Sequence, residues 1–198
     1  DYKTVLLVKK LGISIVMGLT FIVAIVFGLL SPFLARQSMG ASASATDIEN
    51  LKMIFSILLL AVILVPYLSA IRGYYQGLKR LDLYGSSQAL EQFVRVFCII
   101  FFGFLLTRVF ALESIYAIYA AIGAASVAAF VTIIFFMFFT KEDDQRIDEL
   151  VKGQTTKAVS KKILVVEIIS LSVPYLLISF LGSLSALVNS TFFMDTVT

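Results

Sequence analysis

Residues 12–35 read GISIVMGLTFIVAIVFGLLSPFLA, an unbroken run without one charged side chain. A helix of about 20 residues covers a ~30 Å hydrocarbon core, so this run is long enough to cross a bilayer. In lipid every backbone polar group must be satisfied inside the segment, which selects a helix. Four more apolar runs of spanning length follow, at Leu51–Ile71, Phe93–Leu112, Ser114–Phe139 and Ile163–Asn189, with Lys52, Arg95, Arg108 and Glu167 the charged residues within them. A membrane β-barrel needs alternating strands of about ten residues, a pattern the sequence lacks. The expected fold is an all-α polytopic membrane protein with five transmembrane helices.

Composition agrees. Of 198 residues, 60% are apolar, and the mean hydropathy is +0.98. Soluble domains are nearer 45–50% apolar, so a water-soluble globule is excluded. Eighteen Phe and eight Tyr exclude a solvated disordered chain. No His is present, which removes His-based acid–base catalysis, His metal ligands and Ser-His-Asp triads. A single cysteine, Cys98, excludes internal disulfides, and its expected role is a buried apolar filler. There is no metal-ligand spacing, no Gly-rich phosphate loop and no nucleophile–base pair, so the residues call for neither an enzyme nor a cofactor.

The net charge of +3 is not a nucleic-acid signature, because the basic residues flank apolar runs. Thirteen of the sixteen Lys and Arg fall on one side of a five-span topology, and Arg36, Lys52 and Arg108 on the other. The richer side holds Lys3, Lys9 and Lys10, the connection with Arg72, Lys79, Arg80 and Arg95, and the segment Lys141–Lys162. The positive-inside rule places that side, with the N-terminus, in the cytoplasm. The first span, with Lys9 and Lys10 before it and the small run Ala41–Ala45 after it, has the outline of a signal peptide. Its apolar core is too long for one, since such cores run about 7–15 residues.

The connection Arg36–Asn50 is small and polar and reads as solvated. The turn near Glu113 is short, making spans three and four a hairpin. The segment 141–162 opens acidic, with Glu142, Asp143, Asp144, Asp148 and Glu149, and closes basic. It reads as a solvated linker; Ile147, Leu150 and Val151 at helical spacing also allow an interfacial helix. Pro66 and Pro174 free the carbonyls of Val62 and Ser170 inside their spans. Ala120, Ala124 and Ala128 form a small-xxx-small row suited to close helix packing.

The polar residues near the membrane need an explanation. Arg72 and Gln76 close span two. Gln88, Glu91, Gln92 and Arg95 follow at i, i+3, i+4 and i+7, sharing one helix face. Glu91 and Arg95 stand at pairing distance. So polar a stripe points into the protein or a wet cavity, or sits at head-group level. Spacing alone leaves open an interfacial anchor, with Arg95 snorkelling, and a functional cluster. Glu167 lies early in span five, where an inward-facing ionisable group is a functional candidate. Asn189, at the far end, reads equally as a helix-end cap or as an ion or hydrogen-bond partner.

The stretch Ile71-Arg72-Gly73-Tyr74-Tyr75-Gln76-Gly77, followed by Ser87-Gln88-Ala89-Leu90-Glu91-Gln92-Phe93-Val94-Arg95-Val96, resembles a known pattern. It is similar to the R-G-x-x-Q-G … S-Q-x-x-E-Q-x-x-R-V segment of the MurJ-like lipid II flippases, SpoVB/YtgP-type members above all, in the MOP exporter superfamily. Span five resembles that family's seventh helix in its early Pro174 and its late polar Asn189. Related sequences often carry Asp there, and the Asn weakens the case for a carboxylate cation site.

The resemblance implies a piece of a larger two-lobe transporter, about helices three to seven of fourteen. The start at Asp1 and the stop at Thr198 are read the same way. Residues 1–140 would belong to the N-lobe, 141–162 to a cytoplasmic linker and 163–198 to the first C-lobe helix. It further implies a bacterial cytoplasmic membrane and an undecaprenyl-pyrophosphate-linked peptidoglycan precursor moved to the outer leaflet by alternating access. A coupling cation, Na+ or H+, and contacts with cell-wall synthesis proteins are implied as partners. On this reading Arg72, Gln76, Gln88, Glu91, Gln92 and Arg95 are substrate or gating candidates, and Glu167 and Asn189 cavity or ion-coupling candidates. Another polyprenyl-linked glycan as cargo, or a non-transporting scaffold, are the alternatives.

Overall fold

The computed structural model describes residues 2–39, 44–153 and 159–197, with side chains except at 37–39, 142–144, 148, 187 and 190–197. All regular structure among the described residues is helical: α1 Tyr2–Met39, α2 Ala45–Gly77, α3 Leu81–Phe104, α4 Ser114–Phe139, α5 Lys141–Lys152 and α6 Lys161–Val197. Five helices are long and apolar enough to cross a membrane: Tyr2–Arg36, Ala45–Gly77, Leu81–Val109, Ser114–Phe139 and Lys161–Ala186. The chain divides into two units, residues 12–153, and residues 1–11 with 154–198.

Helices run past the apolar stretches because their polar ends are good helix formers or are capped. The connection read as solvated from Arg36 to Asn50 is mostly helical. α1 continues to Met39, and α2 starts at Ala45 behind a capping box. There the Ser44 hydroxyl accepts from the Asp47 amide at 3.1 Å, and the Ser44 amide donates to the Asp47 carboxylate at 3.2 Å. Two orphan donors of the first turn are thereby satisfied. Ala41, Ser42 and Ala43 lie outside the described residues.

Residues 141–152, favoured as solvated linker by the sequence reading, form the helix α5. The side chains of Glu142, Asp143, Asp144 and Asp148, and all of Lys157, lie outside the described residues. Lys141 Nζ lies 5.5 Å from the centre of the Phe138 ring, a cation–π contact where α4 meets α5.

Prolines do not break the helices. α1 passes Pro32, α2 passes Pro66 and α6 passes Pro174. At Pro32 the carbonyl left without its amide is that of Gly28, and Ser31 Oγ donates to it at 2.9 Å. α3 ends in a single π-helical turn, Leu105–Val109, where Thr107 Oγ1 donates to the Gly103 carbonyl at 2.7 Å.

In the unit 12–153, α2 and α3 both pack on α4. The reason lies in the small residues of α4. Ala124, Ala128, Ala129 and Thr132 are at most 1% exposed, so neighbouring backbones approach closely. The buried Thr132 hydroxyl donates to the Ala128 carbonyl of its own helix at 2.8 Å, which removes the cost of burying it. The core gathers where α2 meets α4, from Leu68, Ile71, Tyr75, Leu83, Ala129 and Phe136. Tyr75 and Phe136 stack with centroids 5.5 Å apart. Along the same helices Tyr119 Oη donates to Asn50 Oδ1 at 2.8 Å, tying the start of α2 to α4. Phe93, Phe97, Ile100 and Phe104 form an exposed apolar stripe on α3, as a lipid-facing surface requires.

Above the floor of α4 the walls of α2 and α3 enclose an apolar groove of about 740 Å³. Leu60 and Leu64 line one wall, Cys98 and Phe102 the other, with Gly123 and Val127 below. Cys98 is buried, as expected of a small apolar filler.

Candidate functional site

The sharp bend between α2 and α3 sets up the polar cluster. After Gly77 the chain turns through Lys79, which adopts the left-handed φ of 61°. The amide of Leu78 donates to the Tyr74 carbonyl and that of Arg80 to the Tyr75 carbonyl, closing the end of α2. This brings the last turns of α2 against the first turns of α3. Ile71 and Tyr75 enter the core, and Arg72, beside them, faces α3.

Arg72 spends its guanidinium on α3. Nη1 donates to Glu91 Oε2 at 2.6 Å, Nε to Ser87 Oγ at 3.0 Å and Nη2 to the Ser87 carbonyl at 2.8 Å. Ser87 Oγ in turn donates to the Tyr84 carbonyl at 2.8 Å. Glu91 is shared, because Arg95 Nη2 donates to its other carboxylate oxygen. The Arg72 and Glu91 side chains are 14% and 6% exposed, and that of Arg95 is 30% exposed. Two guanidinium groups therefore meet one carboxylate, leaving one positive charge in excess. Desolvating such charges is costly, and it is offset here because Arg72 and Glu91 are paired and hydrogen-bonded at short range.

The predicted stripe is split. Glu91 and Arg95 join Arg72, whereas Gln76, Gln88 and Gln92 are exposed. Helix geometry explains the division. The buried face of α3 runs through Leu83, Ser87, Glu91 and Cys98, with Glu91 at one edge. At about 100° per residue, Gln88 and Gln92 lie about 60° and 100° beyond that edge. Both glutamines precede the exposed apolar stripe that begins at Phe93. Ser87 belongs to the cluster although the sequence reading did not choose it. Its signal was present, four residues before Glu91 and so on the same face.

Glu167 and Asn189 belong to the other unit, and both are exposed on α6. A surface hollow of about 510 Å³ beside Glu167 is lined by Lys162 and Ser170 among others. Among the described residues no group of three or more His, Cys, Asp or Glu is placed to hold a metal.

Five helices long and apolar enough to cross a membrane mark a multi-pass α-helical membrane protein. Its sequence is 26% identical to the lipid II flippase MurJ of Bacillus subtilis (strain 168) over 200 residues, covering all of this chain and 36% of that protein. It is 31% identical over 143 residues to the uncharacterized membrane protein YabM of the same strain, covering 70% of this chain and 26% of that protein. The chain thus spans about a third of the first relative's length and about a quarter of the second's. The full-length homology, though distant, supports a MurJ-like membrane family. No family model matches the chain, and no solved structure does.

Proposed function

We propose that this chain forms part of a lipid II flippase of the SpoVB/YtgP type. The cargo is an undecaprenyl-pyrophosphate-linked peptidoglycan precursor, carried from the inner to the outer leaflet by alternating access. Residues 1–140 lie in the N-lobe of a two-lobe transporter, 141–162 join the lobes in the cytoplasm, and 163–198 begin the C-lobe. The N-terminal side of this chain faces the cytoplasm in a bacterial plasma membrane. No step of this function is catalytic in the enzymatic sense.

One observation carries the reading. Four positions of the resembling motif, Arg72, Ser87, Glu91 and Arg95, are joined by hydrogen bonds in a chain homologous over its whole length to a lipid II flippase. The physics fits that task. A pyrophosphate-sugar head group cannot cross hydrocarbon unaided, because its charge and hydroxyls are too costly to desolvate. A wet path between helix bundles is needed, and its mouth must hold its shape. The Arg72–Ser87–Glu91 contacts fix the α2–α3 corner at the cytoplasmic mouth and stabilise the arrangement through which the head group enters. Glu167 and Asn189 are the residues available for coupling to Na+ or H+.

Complementation tests this. The full-length gene product is expressed in a bacterium whose own lipid II flippase can be switched off, with membrane levels followed by blot. Restored growth and wall synthesis support lipid II as cargo. No rescue at normal membrane levels rejects it in favour of another lipid-linked glycan.

A further inference from the structure

Arg95 has donors left over. Its Nη2 serves Glu91, no acceptor is placed on its other nitrogens among the described residues, and the side chain stays 30% exposed. A guanidinium carries five donors, so the exposed part of Arg95 is open to an acceptor from outside the cluster. The cluster also carries one uncompensated positive charge. A mono-anion with acceptor oxygens meets both demands.

What that anion is attached to follows from the groove. Cys98 lies one turn beyond Arg95 on α3 and Phe102 about another turn on, roughly 10 Å from Arg95 along the helix axis. Both line the apolar groove over α4. The groove opens sideways, since Leu60, Val127 and Phe130 on its rim are about half exposed. Gly123 keeps the floor low. A Cβ added there would meet Ile57 at an ordinary 3.6 Å, so a methyl group fits but a longer side chain would enter the groove. A volume of about 740 Å³ lies within the usual range for small-molecule sites, enough for part of a lipid.

We infer that the groove between α2 and α3 binds one phospholipid of the surrounding bilayer, its phosphodiester on Arg95 and one acyl chain along Cys98, Phe102 and Val127. Charge decides between lipid sources. A phosphodiester carries one negative charge and matches the single excess charge of the cluster, whereas a pyrophosphate carries more. The site is therefore one for a resident lipid rather than for cargo, and it does not rest on the transport reading. A bound lipid there would fill the space between the α2 and α3 walls and hold their separation.

Native mass spectrometry of the full-length gene product tests it, after extraction from membranes and exchange into defined lipid. Three probes are compared: phosphatidylglycerol, diacylglycerol with the same chains, and glycerol 3-phosphate without chains. The expected result is one retained phosphatidylglycerol, with diacylglycerol and glycerol 3-phosphate each at least tenfold weaker. Arg95→Gln should weaken phosphatidylglycerol about tenfold and Arg95→Lys less. Val127→Phe, which narrows the groove without touching the ion pairs, should weaken it too, with unchanged thermal unfolding. Equal retention of diacylglycerol would overturn the phosphate contact. Equal binding of glycerol 3-phosphate would overturn the groove. Unchanged phosphatidylglycerol in both Arg95→Gln and Val127→Phe would overturn the site altogether, as would a second protein chain seated in the groove.

Discussion

Arg72 on α2 and Glu91 on α3 stand 2.6 Å apart, a nearly buried ion pair that ties the two helices at their shared bend. Removing one partner of such a pair leaves an uncompensated charge in a poorly solvated place. Glu91→Ala is expected to lower stability by about 3 kcal/mol, read as a fall in the thermal unfolding midpoint of the purified protein. Glu91→Gln keeps the shape and one of the two acceptor oxygens and should lose less.

The joint replacement Arg72→Met with Glu91→Leu separates stability from transport. Buried ion pairs are often matched in stability by apolar residues of similar volume, so this double variant should unfold within about 1 kcal/mol of the parent. Transport should nonetheless fall, because the hydrogen-bonded tie between α2 and α3 is gone, while Arg95 keeps the cluster's single excess positive charge. Full growth rescue by the double variant would show that transport does not need the tie between Arg72 and Glu91.

Arg95→Ala should reduce transport without lowering the amount of protein in the membrane. Arg95 is the more exposed guanidinium and makes a single bond to Glu91, so its loss costs the fold little. By contrast, Gln88→Ala and Gln92→Ala should change stability by no more than about 0.5 kcal/mol, since both side chains are exposed. Growth rescue and membrane blots compare all three.

Two local features offer narrower tests. Tyr119→Phe removes the bond to Asn50 and should cost about 1 kcal/mol, seen as a lower unfolding midpoint. Lys79→Gly should raise that midpoint slightly, because Lys79 holds a left-handed φ of 61° that glycine adopts without steric penalty.

The helices were legible in the sequence because a bilayer leaves little choice: predominantly apolar runs of about 20 residues must be helical. Their ends were less legible. The sequence from Arg36 to Asn50 is polar, and polarity alone does not distinguish a loop from a helix end; the capping pair Ser44 and Asp47 carried the information instead. α5 is a helix for a similar reason, most of its residues (Lys, Glu, Gln, Arg and Leu) being good helix formers and Asp143 and Asp144 falling near its N-terminal end, where negative charge is favourable.

Within the cluster, the i, i+4 pairing of Glu91 and Arg95 could be read from spacing. The contact of Arg72 with both Ser87 and Glu91 could not, because it depends on the tight bend at Lys79 that brings two helices together. Spacing also placed Gln88 and Gln92 with Glu91, and only the packing of α3 on α4 decides which side of that broad stripe is covered.

The most direct test of the account is the leaflet distribution of lipid II in cells that depend on the full-length gene product. A membrane-impermeant hydrolase added outside reports the fraction of lipid II exposed on the outer surface. The account predicts that this fraction is restored by the parent protein and falls sharply with Arg72→Met/Glu91→Leu, at equal membrane levels. An exposed fraction that stays at the level of flippase-depleted cells with the parent protein present would contradict it.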